Sequence, residues 1–530
     1  MAAWSTKPAD LEMRVRPIST QDSPTRRKPE DAAIEELGHK ATLPRTLTSR
    51  LGIIGTISTV VCPWPSALAV APLCLANGGT GGLVVGFIVS SIFMTLVYYL
   101  IAEKLPLAPT AGGQYHMVLK LAPPKYQRFL SYICGFALCF TWESYLTSAA
   151  WLFGMNVSAM ITIWTGEYQV YYTFVPTVLM LGVACAVNLT WGKHMNVLEA
   201  LVLVVQFAAF FLVVVLLAMA SGTHTLTGDF SFVTLTGWSR WVGGLLGFCY
   251  CTGVLGGFDC ATHLAEDTED PRTEIPKSLL LSTTVNSFSC IVVAILVTLC
   301  AGDVNLFTGP LALSGHPLGS ILQLFLDATR GNKSAACSVF ALSAIIFAVC
   351  SVNTTTTSSR MLFSLIRDGR DPLVTKVMAK DLNEDGLPRG CVIIADALPL
   401  LILWINFKSS VGFQAIVSQV TMALVITYFM VFACSLDSRI YRPELLGFTH
   451  DGAWHPGRHL GIVMDIVAMV FLFVVGLLCC LPYAPHPNAA GWNYAPFMVL
   501  AVILLGIIVW FVSARKHYRP GQSAQHRTSM

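Results

Sequence analysis

The chain has 530 residues, 54% of them hydrophobic and only 12% charged, with a formal net charge of +3. So little polar surface excludes a water-soluble protein and points to a polytopic membrane protein. The near-neutral charge offers no nucleic-acid patch, and the 16 cysteines, nearly all within apolar runs, read as small membrane-core residues rather than a disulfide framework.

Residues 1–50 are polar and mixed in charge, with Pro8, Pro17, Pro24 and Pro29 scattered through them. They are expected to form a disordered cytosolic tail, because they have too little apolar surface to bury. Arg26, Arg27 and Lys28 read as part of that solvated tail, with a lipid-surface role as the alternative. No cleavable signal peptide is expected; the first span serves as the signal. Twelve apolar runs follow, each near the roughly 20 residues that a crossing needs. They lie at about 51–76, 81–103, 129–153, 170–190, 196–219, 241–264, 279–301, 335–357, 390–407, 411–435, 460–481 and 493–513. This division makes 51–513 an all-α, twelve-helix core and 514–530 a second cytosolic tail. With the N-terminus inside, 29 of the 33 Lys and Arg fall on the cytosolic side, leaving Arg240, Arg330, Lys333 and Lys408 outside. That asymmetry is a positive-inside signal.

The first run holds Ser58 and Thr59 ahead of Pro63-Trp64-Pro65. Two prolines so close disfavour a continuous helix, so a break is predicted between Ser58 and Trp64, with a plain proline kink as the alternative. Glu143 lies in the third run and Glu199 at the start of the fifth. The sixth run, Trp241 to Leu264, is interrupted by Gly253, Gly256 and Gly257, and then carries Phe258, Asp259 and His263. A glycine-broken helix at that depth is tolerated only beside protein or a water-filled cavity. If spans one to five and six to ten are two copies of one unit, the two breaks correspond, which is the strongest sequence pointer to a transporter's central site.

Candidate substrate contacts are therefore Ser58, Thr59, Trp64, Gly256, Gly257, Phe258 and Asp259. Ionisable groups inside a membrane are costly and are functional candidates. Glu143, Asp259 and Glu199 are the candidates for ion coupling. Asp259 is suited to holding an amine or a transferable proton, or else to bonding the unwound amides beside it. Glu143 has a polar contact between helices as its alternative, and Glu199 and His263 a structural or gating role. The Ser/Thr run that closes span eight, Thr354 to Ser359, offers either hydroxyls for a cation or bonds to its own helix. The basic loop from Arg360 to Arg389 is expected to lie along the lipid headgroups. Asn332 begins the one glycosylation sequon placed in an outer loop. No metal-ligand cluster is evident, and no GxxxxGK[ST], HExxH or GxSxG motif supports an enzyme. No pore-loop signature supports a channel.

Between spans two and three runs Pro109-Thr110-Ala111-Gly112-Gly113-Gln114-Tyr115, followed by Ala122-Pro123-Pro124-Lys125-Tyr126 and Arg128-Phe129-Leu130-Ser131-Tyr132. These stretches resemble the amino acid–polyamine–organocation superfamily, most closely its fungal amino acid/choline/GABA permease branch. Leu37-Gly38-His39-Lys40, Asn77-Gly78-Gly79, Gly257-Phe258-Asp259, Ser358-Ser359-Arg360 and Gln414-Ala415-Ile416-Val417-Ser418 extend the likeness over about 35–515. The resemblance implies a leucine-transporter-like fold: a 5+5 inverted repeat plus two extra helices. It also implies alternating access for one amino acid or small amine, GABA and choline included, with the proton as the favoured coupling ion. The plasma membrane is the implied location, no cofactor is implied, and a non-transporting nutrient sensor on the same fold is the alternative. Pro44, the paired prolines and Phe258, where the family commonly has Tyr, depart from the pattern near functional elements.

Overall fold

The computed structural model describes residues 50–190, 195–221, 231–300, 310–369, 389–406, 412–446, 454–487 and 491–520. Most of the expected N-terminal tail, with its Leu37-Gly38-His39-Lys40, and most of the basic loop after span eight lie outside these residues, as does the side chain of Glu199. Among the described residues the fold is entirely helical. In lipid, helices satisfy every backbone group within one segment.

Helix α1 (Arg50–Val61) ends at Cys62, whose φ of 45° and ψ of 55° are left-handed, and α2 (Pro63–Lys104) starts at once. The predicted first break is therefore present, and falls at Cys62. At 42 residues, α2 would run about 63 Å if straight, twice a bilayer core of about 30 Å. It folds back instead at Gly79, where φ is 66°.

After α2 come α3 (Gln114–Leu121), α4 (Gln127–Thr165), α5 (Val170–Thr190) and α6 (Met195–Ser221). The second interrupted segment follows as α7 (Arg240–Val254) and the short α8 (Cys260–His263). The chain then forms α9 (Pro271–Cys300), α10 (Gly319–Ala328), α11 (Lys333–Gly369) and α12 (Arg389–Asn406). Last are α13 (Gly412–Tyr441), α14 (Arg458–Leu478) and α15 (Ala495–Val509). The fold-back in α2 is visible in its contacts with α7. Cys74 and Ser90 lie on either side of Gly79, and their Sγ and Oγ donate to the neighbouring carbonyls of Gly247 (3.5 Å) and Phe248 (3.4 Å).

Among the described residues nine helical segments are long and apolar enough to cross a membrane. Three differences account for the gap from the twelve expected runs. The first two runs form one helical segment, Arg50–Leu107. The sixth is cut at Val254, and the ninth, Arg389–Asn406, holds Arg389, Asp396 and Pro399 and is not among the nine. Burial separates centre from rim: the apolar windows of α4 and α13 are 72% buried, against 22% in the segment that starts with α15. The second interrupted segment sits against these two helices, with Gly253 and Gly256 beside Thr421 and Leu424 of α13 and Gly257 beside Tyr145 of α4.

Candidate functional site

A helix ends with four carbonyls that have no partner within it. For α1 these belong to Ser58, Thr59, Val60 and Val61, and each finds a donor from outside the regular helix. Ser58 O accepts from Cys62 N at 3.0 Å and Gln206 Nε2 at 3.1 Å. Thr59 O accepts from Cys62 Sγ at 2.8 Å, Val60 O from Cys350 Sγ at 3.0 Å, and Val61 O from Ser66 Oγ at 3.3 Å. Across the break, α2 opens with Pro63 and Pro65, which carry no N–H.

In the second interruption Leu255 to Asp259 are unwound, with Gly257 at φ +94°. A Cβ on Gly257 would stand 2.7–2.9 Å from the ring and hydroxyl of Tyr145, so glycine is required both by conformation and by space. Two tyrosines from neighbouring helices serve the loosened backbone. Tyr145 Oη of α4 donates to Gly256 O at 3.2 Å, and Tyr98 Oη of α2 donates to Leu255 O at 3.0 Å while accepting from Phe258 N at 3.3 Å.

The two interruptions face one cavity of about 50 Å³, which has room for a few water molecules. Val60, Val61, Ser66 and Val70 line it from the first broken segment, and Gly253 and Val254 from the second. Tyr145, Phe347 and Phe413 are its aromatic lining, with Ser148 and Thr421 as further hydroxyls, and among the described residues no charged side chain lines it.

The sequence candidates surround this cavity rather than forming its wall. Ser58 Oγ accepts from Asn286 Nδ2 at 2.9 Å and Thr59 Oγ1 from Asn353 Nδ2 at 2.7 Å, while Trp64 Nε1 donates to Gln206 O at 3.3 Å. Asn286, Asn353 and Gln206 thus form a ring of amides about the first break. Sequence reasoning passed over them, although polar residues in apolar runs were the available signal. Phe258 is fully buried edge-on to Tyr98, with centroids 5.3 Å apart.

Asp259 is also fully buried, and its carboxylate accepts from Tyr428 Oη and Gln114 Nε2. His263 Nε2 is 3.9 Å from the same carboxylate. Tyr98 Oη and Tyr428 Oη lie 3.4 Å apart, so the hydroxyl that holds the acid stands beside the one that holds the unwound backbone at Leu255 and Phe258. Glu143 accepts from Ser358 Oγ at 2.7 Å through Oε1, while its Oε2 has no partner among the described residues. The remaining hydroxyls of the Ser/Thr run divide: Thr354, Thr357 and Ser359 bond to their own helix, and Thr355 and Thr356 reach Asp396 and Asn188.

Beyond Asp259 lie two ion pairs. Glu266 holds Arg367 through two bonds of 2.7 and 3.0 Å, and Asp267 holds Arg360 at 3.1 Å. The Pro109–Tyr115 stretch wedges between these groups, with Ala111 N donating to Glu266 and Ala111 O bonding His263 Nδ1 at 2.9 Å. Gly113, at φ +53°, leaves no space for a Cβ, which would lie 2.7 Å from the His263 ring. Asp368 accepts from Tyr115 Oη and bonds His116 Nε2, both at 2.7 Å. The resemblance had marked this stretch; its contacts with Glu266 and His263 appear only in three dimensions.

A family model described as amino acid permease matches residues 49–508. The chain is similar to the choline transporter of Saccharomyces cerevisiae (24% identical over 85% of this chain and 78% of that one). It is similar to a swainsonine transporter of Arthroderma benhamiae (25% identical over 90% and 92%). An amino-acid permease of Schizosaccharomyces pombe is 22% identical over 91% of this chain and 85% of its own length.

Proposed function

The chain belongs to the amino acid permease family, and on that premise we propose that it is a secondary transporter that carries one amino acid or small amine by alternating access. Family and relatives indicate a multi-pass membrane transporter rather than an enzyme. In the finer reading, twelve spans form a 5+5 inverted repeat plus two helices. α1 with the first half of α2, and α7 with α8, are then the corresponding broken spans. Both termini face the cytosol, and the plasma membrane is the site of action. The names of relatives, choline transporter and amino-acid permease among them, support a small nitrogenous solute.

The observation that carries this reading is that the helix ends beside both interruptions, Val60 and Val61 of α1 and Gly253 and Val254 of α7, line one cavity. A solute held between two half-helices can be exposed to either side by moving one half of the bundle against the other. The solute touches the cavity wall, with Ser58, Thr59, Trp64 and Gly256 to Phe258 shaping the breaks from behind. Asp259 and Glu143 take up and release the coupling proton, with Glu199 as a third candidate. This reading of Asp259 is supported by its donor Tyr428, whose hydroxyl lies beside that of Tyr98, the residue that holds the unwound segment.

The test is uptake by the reconstituted full chain under an inward proton gradient. Saturable uptake with counterflow is expected, with Asp259→Asn and Glu143→Gln each lowering the rate at least about tenfold (about 1.4 kcal/mol in the barrier) at unchanged protein level. Flux that neither saturates nor shows counterflow means a channel; ligand binding without flux means a sensor on the same fold. Full uptake in both variants removes these acids from the coupling step.

A further inference from the structure

The two ends that face each other at the first break are unequal. A helix N-terminus attracts anions because its first amides are free and its dipole is positive there. α2 has lost that capacity in part, because Pro63 and Pro65 occupy two of its first three positions and supply no N–H. Cys62 N is already spent on Ser58 O at 3.0 Å, and Ser66 N on Cys62 O at 3.0 Å. The second interruption does not make up the loss. Leu255, Gly256 and Phe258 donate their N–H groups to Thr252 O, Gly253 O and Tyr98 Oη. Among the described residues no Lys, Arg or His lines the cavity, so a carboxylate entering it would meet no countercharge, and of the first three positions of α2 only Trp64 retains an N–H to offer it.

The opposite end favours a cation. The C-terminus of α1 brings the negative end of its dipole to the cavity wall at Val60 and Val61. The carbonyls of these residues are held by weak or long donors, Cys350 Sγ at 3.0 Å and Ser66 Oγ at 3.3 Å, and both of those side chains also line the cavity. A thiol is a poor hydrogen-bond donor, so an ammonium group displaces it at little cost. Tyr145, Phe347 and Phe413 also line the cavity, and aromatic rings are the groups that bind alkylated ammonium ions.

From this asymmetry we propose that the solute held between the two interruptions is a small organic cation without a carboxylate, an amine or quaternary ammonium, rather than a zwitterionic amino acid. The assignment rests on the transport reading of this cavity and narrows it.

The test compares probes that share a cationic head and differ in a carboxylate: choline with glycine betaine, and butylamine with 4-aminobutyrate. Each is titrated against the thermal unfolding of the purified full chain and, separately, against uptake into vesicles. The carboxylate-free member of each pair is expected to stabilise the protein, and to compete, at a concentration at least about tenfold lower. The double variant Pro63→Ala, Pro65→Ala, which restores two N–H groups, is expected to narrow that ratio several-fold. Equal or better action of the carboxylated members on the unmodified protein overturns the proposal, as does a lack of stabilisation by all four. If the variant fails to fold, the ratio in the unmodified protein decides alone. Stabilisation by the cations without uptake removes transport and leaves the cation site standing. Uptake in which the carboxylated members prevail keeps transport and removes the cation site.

Discussion

Tyr428 provides one of two donors to the Asp259 carboxylate and also lies 3.4 Å from Tyr98 Oη. Replacing it by Phe keeps the ring packing and deletes only the hydroxyl. A hydrogen bond to a charged group contributes about 1.5–3 kcal/mol, so Tyr428→Phe is expected to lower proton-driven uptake by about tenfold or more. Thermal stability should fall as well, because a buried acceptor loses a donor, but solute counterflow at equal pH, which needs no net proton movement, should be largely retained. Equal loss of driven uptake and counterflow would instead mark Tyr428 as part of the solute path. At this scale the sequence revealed the acids, and Gln114 and Ser358 within motifs, but not which residue pairs with which. Asp259 and Glu143 stand out because a carboxylate in an apolar run is conspicuous. Tyr98, Tyr145 and Tyr428 look like ordinary apolar bulk, and where their hydroxyls point is decided by helices more than a hundred residues away.

At the level of elements, the breaks were legible because proline and glycine act locally on the backbone, and the left-handed residue at Cys62 lies inside the predicted window. What fastens the elements together was less legible. The outer segment that leads into α10 docks onto α4 through His316, whose ring bonds Ser158 Oγ at 2.8 Å and accepts from Leu318 N at 3.0 Å. Burial pushes the His316 pKa down from 6.5 to about 3, partly opposed by a backbone bond at Met155. The folded state therefore holds this ring neutral, while the unfolded chain takes up a proton as the pH falls below about 6.5. The stability it contributes is complete above pH 6.5 and is lost progressively down to about 3. The melting temperature of the full chain is expected to fall between pH 7 and pH 5, and to fall less steeply in His316→Gln. An identical slope in both proteins would exclude His316 as the source.

Across the whole molecule, hydropathy reveals which segments are helical, since a membrane leaves the backbone little choice. It does not reveal which charges are wet. Lys104 and Arg439 were counted among inner-loop cations, yet both are almost fully buried beside Glu103 and Asp465. Arg439 bonds Asp465 at 2.7 Å and grips Glu103 with one nitrogen, and Lys104 lies 3.1 Å from Glu103 and 3.3 Å from Asp465. His455 Nδ1 approaches Glu103 at 3.2 Å. The cluster joins the end of α2 to α13 and α14, and so ties the eleventh expected span to the ten that would form the repeat. Removing one partner from a buried ionic network typically costs about 3–5 kcal/mol, because the remaining charges stay desolvated. Arg439→Met is therefore expected to lower the folded yield and the melting temperature of the full chain sharply. Replacing Arg439, Glu103, Lys104 and Asp465 together by apolar residues of similar volume should recover much of that loss, since it removes every charge that the lone substitution strands. If the lone variant melts like the unmodified protein, the cluster is hydrated in solution and α14 is held by apolar packing alone.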